Sequence, residues 1–173
     1  ILLGNPPFEN FKKNDRVTYE SRGWPISYIN KTAEVLGQTL PQLPVGGVFG
    51  FVVPQGFLHS SNARDIRALI CRDFEIQEIC LFPDKVFSFS DAESAVILGR
   101  RASSSDARCS VSYRRVREAD MPRFETDYVV SSKSSVPHAA LCSDASISLR
   151  LPDLHEIWGA LASFPKLESL AHI

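Results

Sequence analysis

Val48-Phe49-Gly50-Phe51-Val52-Val53-Pro54 is a continuous apolar run rich in strand formers, opened by the Gly46-Gly47 turn and closed by a proline. Such a run suits a central strand covered on both faces, because a strand with one wet face alternates polar and apolar side chains. Upstream, Ile26, Ile29, Ala33, Leu36 and Leu40 recur three and four residues apart. That spacing predicts a helix from Pro25 to Leu40, with Pro25 near its first turn and Pro41 and Pro44 ending it. Downstream, Ser60, Ser61 and Asn62 offer caps for a second helix, Ala63 to Arg72, with Ile66, Leu69 and Ile70 on one side. Phe74 to Phe82 and Ala95 to Leu98 read as further strands, and Ile1-Leu2-Leu3-Gly4 as a buried one. Strand, helix, strand, helix, strand is the order of an open sheet with helices on both faces, half of a doubly wound α/β domain.

The connecting segments are less regular. Glu9 to Gly23 is polar without a clear period and predicts a long loop. Pro83 to Ser94 predicts another, carrying Phe87 and Phe89. After Arg101 the character changes: Ala102 to Asp106 reads as a linker, Cys109 to Val116 as a weakly alternating antiparallel strand, and Tyr128-Val129-Val130 as a further strand. Ser131 to Ser135 is polar and low in complexity, the composition of a disordered stretch. Pro152 to Phe164 predicts a short helix with Leu154, Ile157, Trp158 and Leu161 on one face. The chain thus divides into an α/β part over 1–102, an irregular β-containing extension over 103–150 and a helical segment over 151–173.

With 173 residues, 44% hydrophobic and 23% charged, the chain suits one ordinary domain. It does not suit a disordered tail, a collagen-like repeat or a disulfide-dense miniprotein. No apolar stretch is long enough to cross a bilayer and no signal-peptide pattern opens the chain; the irregular spacing of the four cysteines fits reduced thiols in a cytoplasmic protein. The only methionine is Met121, so Ile1 is not an initiator residue and the chain is expected to begin inside a longer protein. Cys71, Cys80, Cys109 and Cys142 form no CxxC pair, and His59, His138, His155 and His172 form no ligand pattern beside them. Scattered reduced thiols and no metal are expected. His59 reads as a surface histidine. The net charge of -1 argues against a strongly basic nucleic-acid domain. Local phosphate contacts from Arg100, Arg101, Arg114, Arg115 or Arg117 stay open, although charges on an exposed strand are ordinarily a solvated face.

Asn5-Pro6-Pro7-Phe8, directly after the first strand, is the stretch that carries chemistry. As a bare tetrapeptide it is equally an ordinary strand-ending turn. Its place favours more, because ligands of open α/β sheets sit beyond the carboxyl ends of the strands. An exocyclic amine on a nucleobase is a poor nucleophile, since its lone pair is delocalised into the ring. Two acceptors on its hydrogens localise that pair. The Asn5 side-chain oxygen is one acceptor and the Pro6 carbonyl the other, aimed in advance by the fixed φ angles of Pro6 and Pro7. Phe8 offers a flat face on which an extruded base stacks. No basic side chain is needed before attack, because the amine loses its proton after becoming cationic.

In these segments the chain resembles the amino-directed DNA methyltransferases that use S-adenosylmethionine, most closely the N6-adenine class of restriction-modification systems. The resemblance covers roughly the first 100 residues well and the tail loosely. Ile1 to Phe8 is similar to the family's catalytic segment on the fourth sheet strand. Tyr28 through Gly46-Gly47 to Pro54 resembles the helix, glycine turn and fifth strand that follow, and Leu58 with Ile66-Arg67 and Leu69-Ile70 the next helix. Val86-Phe87 and Ala95 to Leu98 resemble the segment beside the target base. The helix from Pro152 and Leu167 to Ile173 look like the lead-in to a target-recognition domain.

The resemblance implies the C-terminal half of a Rossmann-like S-adenosylmethionine-dependent methyltransferase fold. It implies catalytic roles for Asn5, Pro6, Pro7 and Phe8, with Phe8 and Phe87 as stacking faces for the base, or loop aromatics on the sheet edge in the case of Phe87 and Phe89. Double-stranded DNA is the implied partner, with a restriction or specificity subunit beside it. The family's glycine-rich cofactor turn and its acidic partner are missing, since Gly46, Gly47 and Gly50 lie before and within a strand. Contact with S-adenosylmethionine is therefore limited to the edge offered by Asn5, and the isolated chain is expected to transfer no methyl group. Two other classes remain open: a catalytically silent nucleic-acid-binding or assembly module of the same fold, and a methyltransferase acting on protein glutamine or RNA guanine. An exposed first strand implies dimerisation through that edge, or cover from the tail.

Overall fold

In the computed structural model, six strands form one mixed sheet; the structure describes residues 1–84, 86, 92–103, 109–143, 147–151 and 155–165. In chain order the elements are β1 (Leu2–Gly4), α1 (Lys13–Ser21), α2 (Lys31–Thr39), β2 (Val48–Pro54), α3 (Arg64–Asp73), β3 (Phe74–Phe82) and β4 (Ser94–Arg101). There follow β5 (Ser110–Arg115), α4 (Met121–Asp127), β6 (Ser132–Pro137), α5 (His138–Cys142) and α6 (His155–Leu161). The spatial order is β1-β2-β4-β3-β5-β6. β1 pairs parallel with β2 and β3 parallel with β5, while β4 runs antiparallel between β2 and β3. The carboxyl ends of β1, β2, β3 and β5 therefore share one rim of the sheet.

The register separates the two faces. Phe49, Phe51 and Val53 on β2 lie level with Gly99, Ile97 and Ala95 on β4, and Ile97 and Ala95 with Ile79 and Leu81 on β3. This face is buried in one core with Ala33, Leu36, Ile66, Ile70 and Leu141 from α2, α3 and α5. The other face carries Leu3, Gly50, Val52, Val96 and Leu98 in register, with Leu3 74% exposed. Cover expected on both faces of β2 is thus found on one face among the described residues. Gly50 fits that second face closely: a Cβ there would lie 2.9 Å from Leu3 Cδ2 and 3.0 Å from Leu98 Cδ2.

The mixed α/β fold class holds, and several boundaries move for identifiable reasons. The helix expected from Pro25 starts instead at Lys31, because the Asn30 side chain accepts from the Ala33 N–H as its cap. Residues Ser27 and Tyr28 give their N–H groups to the buried Glu34 carboxylate (2.9 and 2.7 Å), which holds them outside the helix. Ile29, included in the apolar spacing, is exposed. α3 has no side-chain cap from Ser60, Ser61 or Asn62; a 3-10 turn over Ser61–Ala63 leads into it.

The polar stretch Glu9 to Gly23 is not a loop throughout, since it contains α1. Its beginning is tied to the residues that open α2 by an Asn10–Asn30 bridge, Phe11 N–H to Ile29 O (2.8 Å) and Lys31 N–H to Glu9 O (2.9 Å). Tyr128-Val129-Val130 is not a strand: Tyr128 has φ 56° and ends α4 in the left-handed region. The neighbouring polar stretch, read as disordered, is β6, paired antiparallel with β5. Serines and a lysine suit it because it is a sheet edge, where polar side chains block further pairing. β5, expected as an antiparallel strand, is antiparallel to β6 and parallel to β3. α6 lies within the predicted helix, but Ile157 and Leu161 of its expected inner face are exposed.

Cys71 and Cys142 are joined in a disulfide with Cα atoms 5.6 Å apart, a correction to the expectation of four thiols. The packing of α5 against α3 brings them together from positions 71 residues apart in the chain. Cys80 and Cys109 are outside disulfides, and burial raises the Cys80 thiol to about 11. No described helix is long and apolar enough to cross a membrane. Among the described residues no group of three His, Cys, Asp or Glu side chains is placed to hold a metal ion.

Candidate active site

β1 ends at Gly4, where a Cβ would come within 2.5 Å of Phe51 Cε1, so the chain leaves the sheet tightly packed on β2. Asn5 follows on the rim and is exposed. Its carboxamide makes no hydrogen bond with a described residue, nor does any described residue donate to the Pro6 carbonyl. Pro6 is buried, Pro7 exposed and Phe8 half-buried, with no described aromatic ring paired to Phe8. The segment thus leaves the carboxyl end of β1 on a backbone stiffened by two prolines.

Thr32 fixes the turn from below. Fully buried at the start of α2, it donates its hydroxyl to the Pro7 carbonyl at 2.9 Å. α2 is in turn held by its Asn30 cap, and the Asn30 amide donates to Asn10 Oδ1 at 3.3 Å. Beside the turn, Asn10, Asn30, Ser60 and Asn62 surround a pocket floored by Pro54 and Phe57. Asn5 to Phe8 are not in its described wall.

Arg67 shapes that wall. It is 1% exposed on α3 and donates to the carbonyls of Phe57 (2.8 Å), Ser60 (2.7 Å) and Ile147. Burial, and after it the neighbouring Arg64, press its pKa downward. One guanidinium thereby joins the turns after β2 to the 147–149 segment, where Leu149 N–H also donates to Leu58 O. Neither Thr32 nor Arg67 stood out as a functional position in the sequence. The signal for each is a polar residue at an inward helical position, which needs a buried partner.

The other candidates separate cleanly. Arg114 pairs with Glu78 (3.0 Å), Arg100 with Glu75 (2.7 Å), and Arg101 donates to the carbonyls of Pro41 and Leu43. Arg115 and Arg117 line a cleft with Arg150, Glu93 and Glu118 at the carboxyl ends of β3 and β5. His59 is exposed. Phe87 and Phe89 lie outside the described residues, so the second stacking face does too.

No protein-family model matches the chain, and no curated protein matches it either. Solved structures do. A chain from a structure of the assembly and conformational transition of the type I restriction-modification system aligns at TM-score 0.60 and 16% identity, covering 92% of this chain and 41% of that one. The type I restriction-modification methyltransferase subunit from Streptococcus thermophilus aligns at TM-score 0.53 and 15% identity, over 87% and 36%. The M protein of the type I restriction enzyme EcoKI aligns at TM-score 0.50 and 20% identity, over 66% and 25%. At these identities the likeness is one of fold, and the chain spans well under half the length of each neighbour.

Proposed function

We propose that this chain, which carries the fold of type I restriction-modification methyltransferase subunits, is the target-base half of an S-adenosylmethionine-dependent DNA adenine-N6 methyltransferase. The observation that carries the reading is Asn5: a carboxamide on the carboxyl rim unengaged by any described residue, one residue before a buried proline whose carbonyl no described residue engages either. Asn5 Oδ1 and Pro6 O accept the two N6 hydrogens of an adenine turned out of the duplex, and the half-buried Phe8 ring supports its face. Withdrawing those hydrogens toward oxygen concentrates the lone pair on N6. The same oxygens stabilise the positive charge that develops there and pass the released proton to water. Extrusion costs a few kcal/mol of unstacking, which the ring face and the two hydrogen bonds offset.

Gly46 and Gly47 precede β2 and Gly50 lies within it, so these glycines do not form the glycine-rich turn opening a helix that would hold the cofactor. Gly56 is the glycine in the connection from β2 to α3, and open space lies where its Cβ would be. In this proposal the cofactor is held by other parts of the parent protein, which acts on duplex DNA in the cytoplasm beside a specificity or restriction subunit.

The test is transfer by the gene product that contains this chain. Given labelled S-adenosylmethionine and duplex DNA, it should place label on adenine N6, read by nucleoside chromatography. Asn5→Ala should lower the rate by about 100-fold or more, the loss expected for a preorganised transition-state contact. Label on cytosine, guanine or protein glutamine, or an Asn5→Ala variant with the parent rate, overturns the reading. No transfer at all leaves the chain a silent module of this fold.

A further inference from the structure

We infer that α1 and the aromatic cluster at its ends form a contact surface for the DNA strand that carries the target base. This rests on the reading of Asn5 to Phe8 as the base site. α1 buries none of its residues. A helix that adds nothing to the core gains little from apolar side chains, yet this one exposes Val17 and Tyr19, and Trp24 just after it. Tyr19 packs edge-on to Phe11 (5.7 Å between centroids) and lies 6.0 Å from Trp24, which remains 58% exposed. These rings sit among Lys12, Lys13, Arg16 and Arg22.

Those four cations have no ion-pair partner among the described residues. The nearby acids are largely engaged: Glu9 pairs with Lys31, and Asp15 accepts from the Lys12 N–H at the helix start. A groove runs along the helix between Phe11, Lys13, Arg16, Val17 and Glu20. At it, Arg16 Nε is shielded from solvent and has no hydrogen-bond partner among the described residues. The Asn10–Asn30 bridge anchors the unit. Lys12 follows Phe8 by four residues, a reach of at most about 14 Å. Unpaired cations with interleaved exposed aromatics are the combination that holds a nucleic-acid strand, the cations on phosphates and the rings on bases. An apolar protein partner would leave the cations unpaired; an acidic one would leave the rings without a flat ligand.

The experiment measures binding of a fluorescein-labelled 20-nucleotide DNA, single and duplex, by anisotropy between about 50 and 200 mM salt. Lys12→Gln/Lys13→Gln/Arg16→Gln/Arg22→Gln should weaken binding at least about tenfold and lower the log–log salt slope by about 3. Lys133→Gln, on the far edge strand, should leave both unchanged. In a Trp158→Phe background, DNA should quench Trp24 fluorescence, a readout that does not depend on the fourfold variant folding. Unquenched Trp24, affinity unchanged by the four substitutions, or poly-glutamate competing as well as DNA overturns the inference. Adenine methylation by the gene product that ignores those substitutions overturns it too, while leaving the role of Asn5 standing.

Discussion

Thr32 is the residue through which α2 holds the turn from Asn5 to Phe8. Its hydroxyl reaches the Pro7 carbonyl from 25 residues along the chain and is itself fully buried. Thr32→Val keeps the shape and removes the donor, leaving one carbonyl unpaired at a cost of about 1 kcal/mol. Because Pro6 and Asn5 hang from that carbonyl, misplacement should fall on the transition state. We expect kcat to drop about tenfold with KM little changed, and Thr32→Ser to restore it. Equal changes in kcat and KM, or no rescue, would make Thr32 a packing residue only. The candidate site was half legible at this scale. Asn5 to Phe8 are contiguous, so local sequence displays them, whereas Thr32 and Arg67 act on carbonyls that only folding brings to them.

Between elements, the union of α3 and α5 carries two consequences. The Cys71–Cys142 bond closes a loop of about seventy residues, which removes conformational freedom from the unfolded chain. Replacing both cysteines by serine should cost about 2–4 kcal/mol in urea denaturation, and adding reductant to the parent should give a similar loss. A variant as stable as the parent would mean that packing alone joins the helices. His138, buried in α5, behaves differently. Burial lowers its pKa against the smaller opposing effects of a hydrogen bond to the Phe74 backbone and the charge of Glu75. The unfolded chain then takes up the proton first as pH falls through the ordinary histidine value of about 6.5. Stability is full above that value and declines below it. His138→Gln should flatten the dependence of the urea midpoint between pH 7.5 and 5.5, and an unchanged slope would exclude His138 as its source.

For the whole molecule, the open sheet face and the edge at β1 matter most. β1 ends the strand order, and Ile1 and Leu3 are largely exposed there. An apolar, unpaired edge is a template for another strand. The isolated chain should self-associate in sedimentation velocity, and Leu3→Lys should shift it toward monomer without loss of helical signal. A parent chain that is monomeric at tens of micromolar would count against an adhesive edge.

Periodicity along the chain determined much of the fold by itself. The apolar run Val48–Pro54, the strand Phe74–Phe82 and the inward positions Ala33, Leu36, Ile66 and Ile70 were all readable, because strand and helix periods are local and each stretch is long enough to show one. Proximity in the chain likewise placed Asn5 at the end of its strand. The tertiary structure alone decided that β4 inserts antiparallel between β2 and β3, that a serine-rich stretch is an edge strand, and that a polar segment winds into α1. It also decided that two distant cysteines bond and that one buried arginine gathers three carbonyls. Pairing across the sheet, and desolvation of polar groups that must then find partners, are energies between distant residues, and no local pattern records them.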